Sequence, residues 1–122
     1  MDNYDTYVIA LLNGTKEGKL QWKLDSNESS RYQAYCLLKG DQRLTIVKYD
    51  IAEYDILGSE IINSHCRLTL YGGMGEVIGD IVEDDLSNES YLWRLYRVVE
   101  RQVNKFDSSI EGFVEGLNRY EF

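Results

Sequence analysis

Proline is absent from this 122-residue chain, histidine occurs once and cysteine twice. Without proline there is no polyproline recognition segment. A single histidine, with no paired nucleophile and base, argues against an enzyme. Two cysteines are too few for a disulfide framework. In a reducing compartment they read as small, buried, apolar residues. His65, Cys66 and Cys36 form the one soft-metal set the chain offers. His65 and Cys66 are neighbours in an extended segment and point to opposite faces, and a zinc site wants four ligands. Cys36 and Cys66 both sit on apparent core faces, which allows them to lie close in space. No metal and no cofactor are expected.

No apolar run approaches the roughly 18 residues of a membrane span. The N-terminus, MDNYDTYVIALLNG, opens with acids where a secretory signal would carry bases. A cytoplasmic location is expected, with no membrane contact, so the sequons at Asn13, Asn27 and Asn88 carry no sugar.

Positive charge is also scarce. Thirteen Lys and Arg face 21 Asp and Glu, a net charge of −8. The first 90 residues hold eight bases and sixteen acids, and the remainder hold five of each. This balance disfavours nucleic acid, which needs bases to displace counterions. What is plentiful is ordinary globular material: 43% hydrophobic and 28% charged residues, with ten tyrosines. The length suits a single α+β domain over residues 1–122.

Periodicity predicts the elements. Tyr4, Tyr7, Val8, Leu11, Leu12 and Thr15 recur at helical steps. Asp2 or Asn3 caps that helix, which runs to Glu17 with Gly18 as the left-handed residue beyond it. LQWKL alternates as a strand, with Leu20, Trp22 and Leu24 on one face. DSNESS at 25–30 is a polar turn. RYQAYCLLK (31–39) reads as a strand with Tyr32, Ala34, Cys36 and Leu38 inward. RLTIVKY (43–49), HCRLTLY (65–71) and EVIGDIV (76–82) are further strands. Residues 50–64 either lengthen two strands into a hairpin turning near Gly58 or form an ordered loop. Ser87 or Asn88 caps a helix whose stripe is Leu92, Leu95, Tyr96, Val99, Val103 and Phe106. A last helix is capped by Asp107 or Ser108, with Glu111 completing a capping box. It buries Ile110, Phe113, Val114 and Leu117. The expected fold is therefore α+β: an N-terminal helix, an antiparallel meander of about five strands, and two C-terminal helices packed on one sheet face.

Two glycine-rich stretches invite a nucleotide reading. NGTKEGKLQW places Gly14, Gly18 and Lys19 almost as a phosphate loop does. However, the spacing is one residue short, Leu20 stands where a hydroxyl is required, and the order is helix then strand rather than strand then helix. GGMGEVIG has the wrong spacing for a dinucleotide loop and reads as a hairpin turn.

Three segments, TKEGKLQW (15–22), LTLYGGMGEVIGDI (68–81) and YLWRLYRVVERQVNKFDSSIEGFVEGL (91–117), resemble a recurring kind of small, uncharacterised bacterial or phage-encoded α+β protein. Such proteins run an N-terminal helix into a T-K-x-G-K-L-x-W junction. An L-T-x-Y … G-E-V-I hairpin, an L-x-x-L-Y helix and a short terminal helix follow. The resemblance rests on structural residues and covers about half of the chain. It implies the element order and no activity. Residues 50–64 are longer and more apolar than that pattern.

Two charged groups remain. Asp80, Glu83, Asp84 and Asp85 read as a solvated turn feeding a helix N-terminus. Arg94, Arg97, Arg101 and Lys105 step by three, four and four along one helix face, opposite the apolar stripe. The bland reading of that face is a solvated surface paired with nearby carboxylates. Trp93, out of register with the stripe, stands beside these arginines, and exposed Trp and Arg together are enriched where partners bind. The expected function is a non-catalytic protein–protein interaction module, its partner surface Trp93, Arg94, Arg97 and Arg101, with 50–64 as a second surface. A second copy of the chain is among the candidate partners. The alternatives are an acidic inhibitor of immunity, antitoxin or DNA-mimic type, and a small-ligand binder or enzyme, which would show a pocket with converging polar groups.

Overall fold

The computed structural model describes residues 4–25 and 33–120. The expected caps at Asp2 and Asn3, Tyr32 and nearly all of the 25–30 turn lie outside the described residues. Helix α1 spans Tyr4–Lys16, and the strands are β1 (Lys23–Leu24), β2 (Gln33–Lys39), β3 (Gln42–Tyr54), β4 (Glu60–Tyr71) and β5 (Val77–Val82). A single 3-10 turn, Glu83–Asp85, leads into α2 (Ser90–Val103), and α3 spans Phe106–Tyr120. The five strands form one antiparallel sheet in chain order, the meander that short polar turns between consecutive strands favour.

Helix α1 ends as its sequence dictates. Gly18 adopts φ +75°, and the Lys19 and Leu20 N–H groups both donate to the Gly14 carbonyl, at 2.9 and 3.1 Å. Gly14 itself makes room, since a Cβ there would stand 2.8 Å from Leu20 Cδ1. The chain then turns under the helices. Trp22 Nε1 donates to Thr15 Oγ1 (2.9 Å), the Trp22 N–H donates to Gln102 Oε1 (2.8 Å), and Gln102 Nε2 donates to the Leu20 carbonyl (2.7 Å). This clamp corrects the LQWKL expectation. Backbone groups of Leu20 and Trp22 bond to a side chain of α2 rather than to a neighbouring strand, so only two residues pair as strand, and Leu24 is exposed.

The sheet has two unlike faces. Tyr35, Ile46, Cys66 and Leu68 share one face with Val8, Leu12, Leu92, Leu95, Tyr96 and Val99 of α1 and α2. Pairing of Cys36 with Thr45 and of Thr45 with Thr69 places those three on the other face. The inward set of β2 is therefore Tyr35 and Leu37, not Ala34, Cys36 and Leu38. Ala34, Tyr35 and Cys36 are all buried, so period-2 alternation is blank there, and the phase is set by Tyr35 meeting Tyr96 at 5.8 Å between ring centroids. The two thiols consequently lie on opposite faces. On the second face Asp25 is buried, accepting from Thr45 Oγ1 (2.7 Å) and from Arg43 Nη1, while the Arg43 guanidinium sits 4.1 Å over the Tyr71 ring.

Two polar ties align the helices. The Ser87 N–H donates to Asp5 Oδ1 (3.0 Å), and its hydroxyl donates to Asp5 Oδ2. Asn88 Oδ1 accepts the Ser90 N–H (2.9 Å), so Asn88 serves the start of α2 while Ser87 serves α1. The starts of α1 and α2 are joined there and their ends by Gln102, so the two helices run parallel across the sheet.

Helix α3 departs from expectation. It begins at Phe106 after a two-residue link in which Lys105 takes φ +54°. Ser108 Oγ donates back to the Lys105 carbonyl (3.1 Å), and no capping box forms with it. Ile110, Phe113, Val114 and Leu117 stay exposed, because α3 packs chiefly against the end of α2 and not on the sheet.

Candidate functional site

Residues 50–64 form a hairpin arm, the first of the two readings the sequence left open. Among the described residues, pairing of β2 with β3 reaches to Lys48, and pairing of β4 with β5 starts at Arg67. From Tyr49–His65 to Tyr54–Glu60, β3 and β4 pair only with each other among the described residues. Six pairs at about 3.3 Å per residue give an arm ~20 Å long. Its tip is tightly built. Asp55 Oδ1 accepts the N–H groups of Leu57 (2.9 Å) and Ser59 (2.8 Å), and the Gly58 N–H donates to the Asp55 carbonyl (3.0 Å). The tip side chains Ile56 and Leu57 are 100% and 87% exposed. Ile51, Tyr54, Ile61 and Ile62 are exposed along its length.

A free two-stranded ribbon is marginal in water, and polar side chains brace this one. Asn63 Nδ2 donates to Glu53 Oε2 (2.9 Å) and Ser64 Oγ to Asp50 Oδ1 (2.6 Å). At its base, His65 lies between two carboxylates, with Nε2 3.1 Å from Glu53 Oε1 and Nδ1 3.0 Å from Glu83 Oε1. Carboxylates only accept, so both contacts are satisfied when the ring carries two protons. The hydrogen bond to Glu53 is the largest cause raising the His65 pKa, with Glu83 adding to it against desolvation. The same bond holds Glu53 below its ordinary value.

Glu83 is the centre of this base. Besides His65 it accepts the Cys66 N–H (3.0 Å) at Oε1 and Trp93 Nε1 (2.9 Å) at Oε2. One carboxylate thus joins the arm, β4 and α2. From sequence alone Glu83 reads as part of a solvated turn. Its neighbours Asp84 and Asp85 are exposed, whereas the Glu83 side chain is only 15% exposed. Nothing local separates the three acids; the donors that select Glu83 come from 10 to 18 residues away. Cys66 is inert as a nucleophile, since burial, reinforced by the Glu83 charge, pushes its thiol up to about 12. The two ring nitrogens of His65 point apart, so Glu53 and Glu83 cannot share one ion with it. Among the described residues no group of three or more His, Cys, Asp or Glu is placed to hold a metal.

The four residues singled out on α2 divide. Trp93 is half-buried, with its ring edge-on to Tyr96 at 6.2 Å and its N–H held by Glu83. It is thus a brace for the arm base rather than an exposed anchor. Arg94, Arg97 and Arg101 are exposed. The Arg94 guanidinium lies 5.7 Å over Tyr91 and that of Arg101 5.2 Å over Phe106. Arg101 and Lys105 also line, with Lys16, a polar hollow where α1 ends and α3 begins.

The chain is thus an α+β protein with a half-covered antiparallel meander and a projecting acidic arm. Residues 49–64 carry Asp50, Glu53, Asp55 and Glu60 and no Lys or Arg. No helix among the described residues is long and apolar enough to cross a membrane. No protein family, no curated protein and no solved structure matches this chain.

Proposed function

We propose that this protein is a non-catalytic interaction module whose arm, residues 50–64, grips a protein partner, with the arginine face of α2 as its flank. The observation that carries this reading is the arm tip: Ile56 and Leu57, presented to solvent on a rigid turn at the end of a ribbon with both strand edges free among the described residues. Exposed apolar side chains beside unpaired strand edges are costly to a protein with no partner, because they template association. An added strand from a partner would complete the ribbon, with the tip as anchor. Trp93 shares Glu83 with His65, so the helix that carries the arginines is tied to the foot of the arm.

A more specific reading is an acidic inhibitor of a basic partner, of immunity, antitoxin or DNA-mimic type. The four carboxylates of the arm, unaccompanied by any base, favour it. Capture from host extract tests both readings. The wild-type chain is expected to retain a protein that Ile56→Asp/Leu57→Asp loses while keeping its far-UV circular dichroism. Alanine at Arg94, Arg97 and Arg101 is expected to weaken that capture. A partner that stays bound to both variants removes the module reading. Capture indifferent to ionic strength removes the acidic-inhibitor reading.

A further inference from the structure

Among the described residues, nothing covers one end of the helix-bearing sheet face. Two hollows that share Leu11, Leu44 and Leu70 join into one apolar groove along the outer flank of α1. Its walls include Tyr7 and Ile78, exposed by 60% and 55%. In the layer on this face, α2 and α1 lie side by side, and the groove is where a third helix would lie.

The chain also owns a helix whose apolar side no described residue covers. Phe106, Ile110, Phe113, Val114 and Leu117 recur at helical steps along α3 and are 42–63% exposed. Short helices owe most of their stability to tertiary packing, and this one meets chiefly the end of α2. It cannot swing readily into its own groove. The link to α2 is two residues long and closed by hydrogen bonds from Asn104 N–H to the Glu100 carbonyl (2.9 Å) and from Lys105 N–H to the Gln102 carbonyl (3.2 Å).

We propose that the chain self-associates as a two-fold dimer in which α3 of each copy lies in the groove beside α1 of the other. The area agrees. The exposed fractions of the five α3 side chains leave roughly 400 Å² of apolar surface, and a groove that covers them loses about as much. Two-fold symmetry makes each contact twice, giving roughly 1,600 Å² in total, the size of a stable interface. The groove and the arm lie at opposite ends of β3 and β4, so this dimer leaves the arm free and does not depend on the function proposed for it.

Sedimentation of the full chain across a concentration series tests the proposal. The mass is expected to rise from 14.2 kDa to twice that value. Phe113→Asp on α3 and Ile78→Asp in the groove change exposed residues, so each should keep the monomer's circular dichroism while weakening dimerisation by about tenfold or more. An equal mixture of the two variants retains one intact α3–groove contact and is expected to associate better than either variant alone. A Val114→Cys chain mixed with an Ile78→Cys chain should form an intermolecular disulfide. Ile56→Asp/Leu57→Asp should dimerise as wild type does. A wild type that stays at the monomer mass overturns the proposal. So does loss of association in Phe113→Asp but not in Ile78→Asp, which would mean that α3 pairs with α3. A Val114→Cys/Ile78→Cys disulfide closing within one chain overturns it as well.

Discussion

Replacing Glu83 by alanine removes one acceptor from three donors. Two of these, the Cys66 N–H and Trp93 Nε1, belong to a buried and a half-buried residue, and the third belongs to His65, whose side chain is 31% exposed and can turn to water. A hydrogen bond to a charged group contributes about 1.5–3 kcal/mol, and an interior donor left unpaired loses its partner without regaining water. Counting these two donors alone, Glu83→Ala should cost about 3–6 kcal/mol, a large share of the ~5–15 kcal/mol that holds a domain together. Glu83→Gln keeps one acceptor oxygen and should cost about half as much. Trp93→Phe removes the indole N–H with little loss of packing and should cost about 1–2 kcal/mol. Urea unfolding at neutral pH, followed by circular dichroism and tryptophan fluorescence, measures all three. With an m-value of ~1–3 kcal/mol per M the midpoint of Glu83→Ala should fall by about 2 M. In a double-mutant cycle, Glu83→Ala with Trp93→Phe should cost about 1 kcal/mol less than the sum of the singles, because the bond they share is lost once. A cost below about 1 kcal/mol for Glu83→Ala, or strict additivity, would falsify the view that this carboxylate pins the arm base to α2.

Because His65 is the one histidine in the chain, its ring proton resonance gives its titration without ambiguity. The midpoint is expected above the ordinary ~6.5, and lower in Glu53→Gln, since the bond to Glu53 is the largest cause of the rise. A raised histidine pKa contributes stability that is complete below ~6.5 and disappears as pH climbs through the higher folded value. A wild-type midpoint at or below ~6.5 contradicts the ion-pair geometry. Gly14→Ala gains about 1 kcal/mol of helix propensity but drives a methyl against Leu20, whose carbonyl is held by Gln102. Overpacking of that kind costs about 1–3 kcal/mol, so thermal unfolding should show a small net destabilisation, and a rise in Tm would mean that Leu20 is free to move.

Legibility followed the range of the physics involved. The end of α1 was readable because Gly18 is a local solution to a local problem. Strands β3, β4 and β5 were readable because turns and alternation act over a few residues. Most of the stripe on α2 was readable because Leu92, Leu95, Tyr96 and Val99 face a single layer, whereas Phe106, expected to continue it, lies beyond the break at Asn104–Lys105 and opens α3 exposed. The phase of β2 was not, since both faces at Ala34–Cys36 are buried and neither parity stands out. Neither was the role of Glu83, which differs from Asp84 and Asp85 only in which distant donors reach it. The half-buried setting of Trp93 was not legible either: its offset from the apolar stripe reads as exposure on a partner surface, and only the fold brings Glu83 to its indole N–H.

The amino-acid order alone determined that this is a helix, a five-strand antiparallel meander and two more helices. It also determined that α3 has an apolar side and that residues 50–64 are rich in exposed-type carboxylates and aliphatics together. Propensity, periodicity and turn chemistry operate between residues close in the chain, so they leave a local record. Only the tertiary structure decided that α3's apolar side is not consumed by the sheet and that a groove stays open beside α1. The same holds for the carboxylate that joins arm to helix. Those outcomes depend on which surfaces meet after the chain has closed on itself, and contacts across 80 residues, such as Gln102 with Trp22, have no periodicity from which to read them.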